Sequence, residues 1–161
     1  MSPHESPEVT SQWSTVRPTP SGIDPRGPRF SAGVTAVLLT VVLLLGDSSA
    51  ALLLLAVVGV LFLIGVVRGP AGSVTGIVFR RWVLSHLPPT QEREDPRPPR
   101  FAQAVGLTIV GAGVALALLG VGSAVPVAAS LALVASFLNA AFGFCLGCEM
   151  YLLGKRLTSR A

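Results

Sequence analysis

Residues 101–148, FAQAVGLTIVGAGVALALLGVGSAVPVAASLALVASFLNAAFGFCLGC, run without one charged side chain. A single bilayer-crossing helix takes about 20 residues, so this stretch is too long to be one helix. Its natural break is GVGSAVP (120–126), where glycines precede Pro126. Spans are expected near 101–120 and 126–145.

The same reasoning, carried back along the chain, gives two more. Residues 30–46, FSAGVTAVLLTVVLLLG, lie uncharged between Arg29 and Asp47. They make about 26 Å of helix, short for a hydrocarbon core of about 30 Å but within the range of known spans. Residues 48–67 form a second uncharged run, ending at Arg68. Composition agrees. Of 161 residues, 51% are hydrophobic and only 12% charged, and the mean hydropathy is +0.68. A soluble domain carries about 25% charged residues. Membrane is therefore the expected solvent over much of the chain.

The N-terminal stretch MSPHESPEVTSQWSTVRPTPSG has no apolar core. It does not read as a signal peptide but as a disordered tail over 1–22, leaving the first span to do the targeting. Residues 69–79, GPAGSVTGIVF, are too short to cross. With Val74, Ile77, Val78 and Arg81 at helical spacing and Trp82 following, they suggest a short amphipathic helix lying in the membrane interface. A soluble excursion is the alternative.

Four spans put both ends of the chain on one side. The basic residues say which side. Arg17, Arg26 and Arg29 precede span 1. Arg68, Arg80, Arg81, Arg93, Arg97 and Arg100 lie in the middle segment, and Lys155, Arg156 and Arg160 follow span 4. These are all twelve, and the two short turns hold none. The positive-inside rule then makes both termini and the middle segment cytoplasmic, in a plasma-membrane protein. The net charge of +4 is thus a matter of topology. No pattern of aromatic and basic residues suggests nucleic acid.

IDPRGPRFSAGV (23–34) returns as EDPRPPRFAQAV (94–105), 71 positions later. Carried on without a gap, the offset pairs Gly72 with Gly143 and Gly76 with Gly147. This suggests a duplication, with halves over about 23–87 and 94–157. Two-span halves point the same way and are related by an axis along the membrane normal. Within the motif, Asp24 and Asp95 can cap helix starts. Arg26, Arg29, Arg97 and Arg100 suit lipid phosphates and topology, and side by side they would make a cationic cluster able to receive an anionic ligand.

FGFCLGCEMY (142–151) holds both cysteines. If half two copies half one, span 4 yields near Gly143 and a new helix begins near Cys145. A thiol there feels the positive helix end, which favours the thiolate. If span 4 runs straight on through Ala140 and Ala141, the pair sits at a helix C-terminus, where the dipole disfavours it. Both arrangements stay open. In a reducing compartment Cys145 and Cys148 do not suggest a permanent structural disulfide. The readings are a redox-active CxxC pair, a sulfur-carrying or docking site, a metal site short of ligands unless His86, His4 or a dimer adds to it, and plain packing of small residues beside Gly143 and Gly147. Glu149 can accept a proton from a thiol or pair with the basic tail. Asn139, deep in span 4, suggests an interhelical hydrogen bond or a functional polar group. No Walker loop, nucleophile elbow or HExxH is present.

The strings DPRxPRF, EDPRPPRFAQAVGL (94–107) and FLNAAFGFCLGCEMY (137–151) resemble a small integral-membrane family of unknown function common in high-GC actinobacteria. The similarity covers about residues 23–157. It implies a multi-span protein with this cysteine motif near its C-terminus, matched here at Asn139, Phe142, Gly143, Phe144, Cys145, Gly147, Cys148, Glu149 and Tyr151. Association with thioredoxin-like and rhodanese-like sulfur proteins is part of what it implies. It implies no particular activity.

The expectation is an all-α membrane protein with four transmembrane helices as two tandem two-span repeats, plus short cytoplasmic-face interfacial helices. Residues 23–161 would form one domain. Function is expected in cytoplasmic thiol or sulfur chemistry, by thiol–disulfide exchange with a soluble partner at Cys145 and Cys148. Arg97 and Arg100 would give electrostatic support; Arg26, Arg29, Glu149 and Asn139 are secondary candidates. The alternatives are a small transporter or channel-like subunit, which would lack charged groups within its spans, and a scaffold without chemistry. The lipid bilayer is the expected partner and a homo-oligomer is a further candidate. No cofactor is read from the sequence.

Overall fold

A computed structural model describes residues 22–90 and 92–159, and the chain is all-helical over them. The long helices are α1 (Arg26–Leu44), α2 (Ser49–Arg68), α4 (Arg97–Leu118) and α5 (Ala124–Phe142). All four are long and apolar enough to cross a membrane. They run up-down-up-down, because tight turns join α1 to α2 and α4 to α5. Gly46 and Gly120 supply positive φ there, at 60° and 90°. Ser48 then caps α2, its side chain accepting from the Ala51 N–H at 3.2 Å.

Both α1 and α4 begin four residues before the uncharged runs do, because the arginines belong to their first turns. Asp24 Oδ1 accepts from the Arg26 N–H and Asp95 Oδ1 from the Arg97 N–H, each at 2.9 Å. Each carboxylate thus satisfies the first amide of its helix, while Pro25 and Pro96 occupy the cap positions themselves. Pro126 lies in the first turn of α5, where an N–H would have no partner.

Between α2 and α4 the chain makes a 3-10 turn (Pro70–Gly72), the short helix α3 (Val74–Val78), a π-helical turn (Phe79–Val83) and a second 3-10 turn (Leu84–His86). Gly76 and Phe79 face inward; Val74, Ile77, Val78 and Trp82 face out. The last helix is α6 (Leu146–Thr158).

The closest packing lies toward the tight-turn end. There Leu39 and Val42 of α1, Leu55 and Val58 of α2, Val110 of α4 and Ala128, Ala129 and Ala132 of α5 form one buried cluster. Small residues bring the backbones together. A side chain on Gly113 would overlap Ala128, the close approach that holds helices together where water supplies no hydrophobic drive. Outward faces are apolar, with Val37, Leu53, Val60, Val67, Val127, Val134 and Phe137 all exposed.

The longest interhelical contacts join α1 to α5 and α2 to α4. At the other end of the bundle, Ile23 and Glu94, 71 positions apart, exchange both backbone hydrogen bonds at 3.0 Å in one antiparallel bridge. Two ring pairs match in the same way. Phe30 lies 5.7 Å from Phe79 and Phe101 lies 5.8 Å from Tyr151, between ring centroids. The expected tail over 1–22 falls, apart from Gly22, outside the described residues.

Candidate functional site

The helix break that the sequence leaves open is made at Gly143. This residue adopts φ 69°, in the left-handed region. Its N–H bonds to the Asn139 carbonyl at 3.0 Å, and the Phe144 N–H reaches Leu138 at 3.3 Å. The bond from Gly143 to Asn139 closes α5 with an αL cap. Two residues on, Cys145 is the N-cap of α6, its Sγ accepting from the Cys148 N–H at 3.4 Å. Cys145 and Cys148 are joined as a disulfide, with Cα atoms 5.2 Å apart. Both sulfurs therefore sit on the first turn of a 13-residue helix, at its positive end.

The matching cap in half one is Ser73, which starts α3. Its hydroxyl donates to the Pro70 carbonyl at 2.8 Å and accepts from the Gly76 N–H at 3.0 Å. Ser73 and Cys145 are 72 positions apart, so the structural match shifts by one residue from the gapless sequence offset, which pairs Cys145 with Val74. The shift follows from the connections: a 3-10 turn in half one, a single αL glycine in half two. A further contact recurs with 71 positions between its long-helix residues and 72 between its short-helix residues. Ser31 meets Thr75 through their hydroxyls, and the equivalent Ala102 meets Gly147 backbone to backbone. A Cβ on Gly147 would lie 2.5 Å from Ala102 Cα, so only glycine lets α6 pack this closely on α4.

Ser73 and Cys145 both line an internal cavity of about 320 Å³ between α1, α2, α4, α5 and α6. Its wall is mostly apolar, with Gln103, Ser136 and Asn139 among its polar groups. Among the described residues these three side chains make no hydrogen bond. Asn139 thus faces the cavity instead of bonding to a neighbouring helix. Cys148 lies outside the lining. Leu131 and Met150 line the cavity and are also 57% and 56% exposed, so it reaches the side of the bundle.

The arginines are mostly committed elsewhere. Arg100 donates to the carbonyls of Val66 and Val67 at 2.6 and 3.3 Å, capping the C-terminus of α2. Arg26 holds Asp24 through Nε at 3.1 Å and Nη2 at 3.0 Å, and reaches the Pro88 carbonyl. Burial works to raise the Asp24 pKa, but bonding and charge from Arg26, with Arg93 helping, outweigh it and hold the carboxyl below its usual value. The Arg29 guanidinium lies beside the turn before α6: a Cβ on Gly143 would be 3.4 Å from its Cζ. Arg97 makes no side-chain hydrogen bond among the described residues, and Glu149 is exposed.

His86 is held locally, with Nδ1 2.8 Å from the Trp82 carbonyl. Among the described residues no three His, Cys, Asp or Glu side chains converge as metal ligands would. Asn139 was legible as a lone amide in an apolar run. Gln103 offered the same signal and was not singled out. Ser73 and Ser136 offered none, since isolated serines in apolar helices are common.

No curated protein and no solved structure shows a significant match to the chain. Residues 23–156 match the model of the domain of unknown function DUF4395, and the chain belongs to that family.

Proposed function

We propose that this protein is a membrane-embedded thiol–disulfide carrier in which Cys145 and Cys148 cycle between dithiol and disulfide. The observation that carries the reading is the position of the disulfide. It spans the first turn of α6, with one sulfur on a cavity wall and its partner outside that wall. A helix N-terminus favours thiolate over thiol, which makes the sulfur there both a better leaving group and a better nucleophile at neutral pH.

In this reading α1, α2, α4 and α5 cross the bilayer. Their lengths of 19 to 22 residues give about 29–33 Å, the thickness of the hydrocarbon core, and their exposed apolar faces suit lipid. The described Lys and Arg residues cluster at the end holding α3 and α6, which supports a cytoplasmic side for that end. Val74, Ile77, Val78 and Trp82 rest in the interface. The two halves are a duplication about an axis along the membrane normal; the Ile23–Glu94 bridge, where equivalent residues meet, supports this. Arg26 and Arg29 border an open groove on α1 and Ala140 of α5, a fit for an anionic lipid head group.

Exchange then runs in two displacements. A thiolate of a soluble thioredoxin-like or rhodanese-like partner attacks Cys148 Sγ. The Cys145 thiolate leaves, held by the Cys148 N–H and the helix end. A second partner thiol resolves the mixed disulfide, so the partner is oxidised and the pair reduced. The test uses thioredoxin with a single reactive cysteine, activated as a mixed disulfide with a chromophoric thiol. The Cys145→Ser protein should trap it at Cys148 faster than the Cys148→Ser protein does at Cys145. No trapped adduct with either variant would sink the reading. Sidedness is checked separately: an impermeant maleimide should label the reduced pair in inverted vesicles and not in intact cells.

A further inference from the structure

We infer that the cavity under Cys145 receives the ring of a lipid-soluble quinone, and that this quinone is the electron acceptor of the cysteine pair. The inference rests on the thiol–disulfide reading above and names its membrane-side reactant. A dithiol that is to become a disulfide must hand two electrons to something. The cavity is next to one sulfur and, at about 320 Å³, falls at the small end of ligand pockets, which run from about 300 to 1,000 Å³. Apolar walls exclude a charged acceptor. Asn139, Gln103 and Ser136 nevertheless offer it N–H and O–H donors that no described protein group takes up. Two carbonyl oxygens across a flat apolar ring answer that combination. The exit past Leu131 and Met150, both exposed on the outside of the bundle, gives an isoprenoid tail a way into lipid. Ser73, whose hydroxyl is bonded to Pro70, Thr75 and Gly76 inside the protein, is not available to the ligand.

The chemistry balances. Cys145 thiolate adds to a ring carbon, and the electron pair moves to a ring oxygen, which takes a proton. Cys148, losing its proton to solvent, displaces that carbon from Cys145 Sγ. The S–S bond forms as the S–C bond breaks, and the pair returns to the ring as quinol, which takes the second proton. Two thiols and one quinone become one disulfide and one quinol. The soluble dithiol partner then reduces the disulfide for the next round.

The full-length protein in lipid nanodiscs is reduced, freed of reductant and mixed without oxygen with a fully ring-substituted benzoquinone carrying a ten-carbon chain. Quinone absorbance and free thiols are followed together. The expected result is one quinol formed for each pair of thiols lost, with Asn139→Leu slowing that step about tenfold, the equivalent of one hydrogen bond. In the wild type, reduced thioredoxin should reduce the disulfide back to the dithiol. If thioredoxin exchange proceeds but the quinone is not reduced, the quinone assignment falls and the carrier reading stands; if neither proceeds, both fall. Quinone reduction insensitive to changes at both Asn139 and Gln103 overturns the cavity as its site.

Discussion

Both α2 and α5 end in a break after which a short helix restarts, yet Ser73 caps one restart and the disulfide-bonded Cys145 caps the other. Ser73 is 3% exposed, and its hydroxyl both donates and accepts within a single turn. Cys145 takes the same cap position, accepts one weaker bond from the Cys148 N–H, and spends its remaining valence on a disulfide. Oxygen at this place does nothing but hold a turn. Sulfur holds it less well and can be oxidised. The contrast teaches that a helix cap becomes a candidate reactive centre by one atom change, provided that a second sulfur follows one turn later. Gly76 stands one turn after Ser73, so that cap has neither sulfur.

The largest expected effect comes from making half two resemble half one. Cys145→Ser should abolish turnover of thiols while leaving the fold intact, because serine is a competent N-cap. Unfolding in mixed detergent micelles, compared with the reduced wild type, checks the second part; a loss of fold would mean that the pair is structural. Next is the packing that aims the helix. Gly147→Val should destabilise the protein by about 2–3 kcal/mol, since the added carbons have no room against Ala102. It should also lower the exchange rate, as α6 is lifted from α4. Ser73→Ala should cost about 1–2 kcal/mol, by leaving the Gly76 N–H and Pro70 carbonyl without their partner. Exchange at Cys145 should not change, and a drop would show that the halves do not act separately.

The smallest effect is at the motif that both halves share. Asp24→Asn should cost about 0.5–1.5 kcal/mol at neutral pH, whereas Asp95→Asn, whose carboxylate lacks the Arg26-type ion pair, should cost less. The sign with pH follows from the lowered Asp24 carboxyl. Its contribution is complete above the ordinary carboxylate value of about 3.9 and fades as pH falls below that through its own lower value. The gap between wild type and Asp24→Asn should therefore close in acid.

Much of the fold was legible because charge is expensive in an apolar phase. The uncharged runs 30–46, 48–67 and 101–148 mark the four long helices to within a few residues, and GVGSAVP marks the second tight turn. The boundaries erred where arginines enter first turns, since their side chains reach past the helix end. Gly143 could not be decided from sequence: a glycine after Ala140 and Ala141 continues a helix as readily as it ends one. Its left-handed conformation is set by the Leu138 and Asn139 carbonyls that need donors. The contacts of the arginines were not legible for a related reason. A guanidinium beside a helix end bonds to its free carbonyls, so Arg100 serves α2, and Arg29 lies beside the Gly143 break. The cavity was invisible, because it is made by residues from five helices that no local pattern links.

The central claim is that the cysteine pair works as a reversible couple, and a redox titration tests it most directly. The protein in nanodiscs is equilibrated over a series of reduced-to-oxidised glutathione ratios, trapped with an alkylating reagent and weighed intact. The account predicts a single two-electron transition, the same from either direction, with helical content unchanged throughout. A pair that stays oxidised at every ratio, or opens only as the helices unfold, would contradict it.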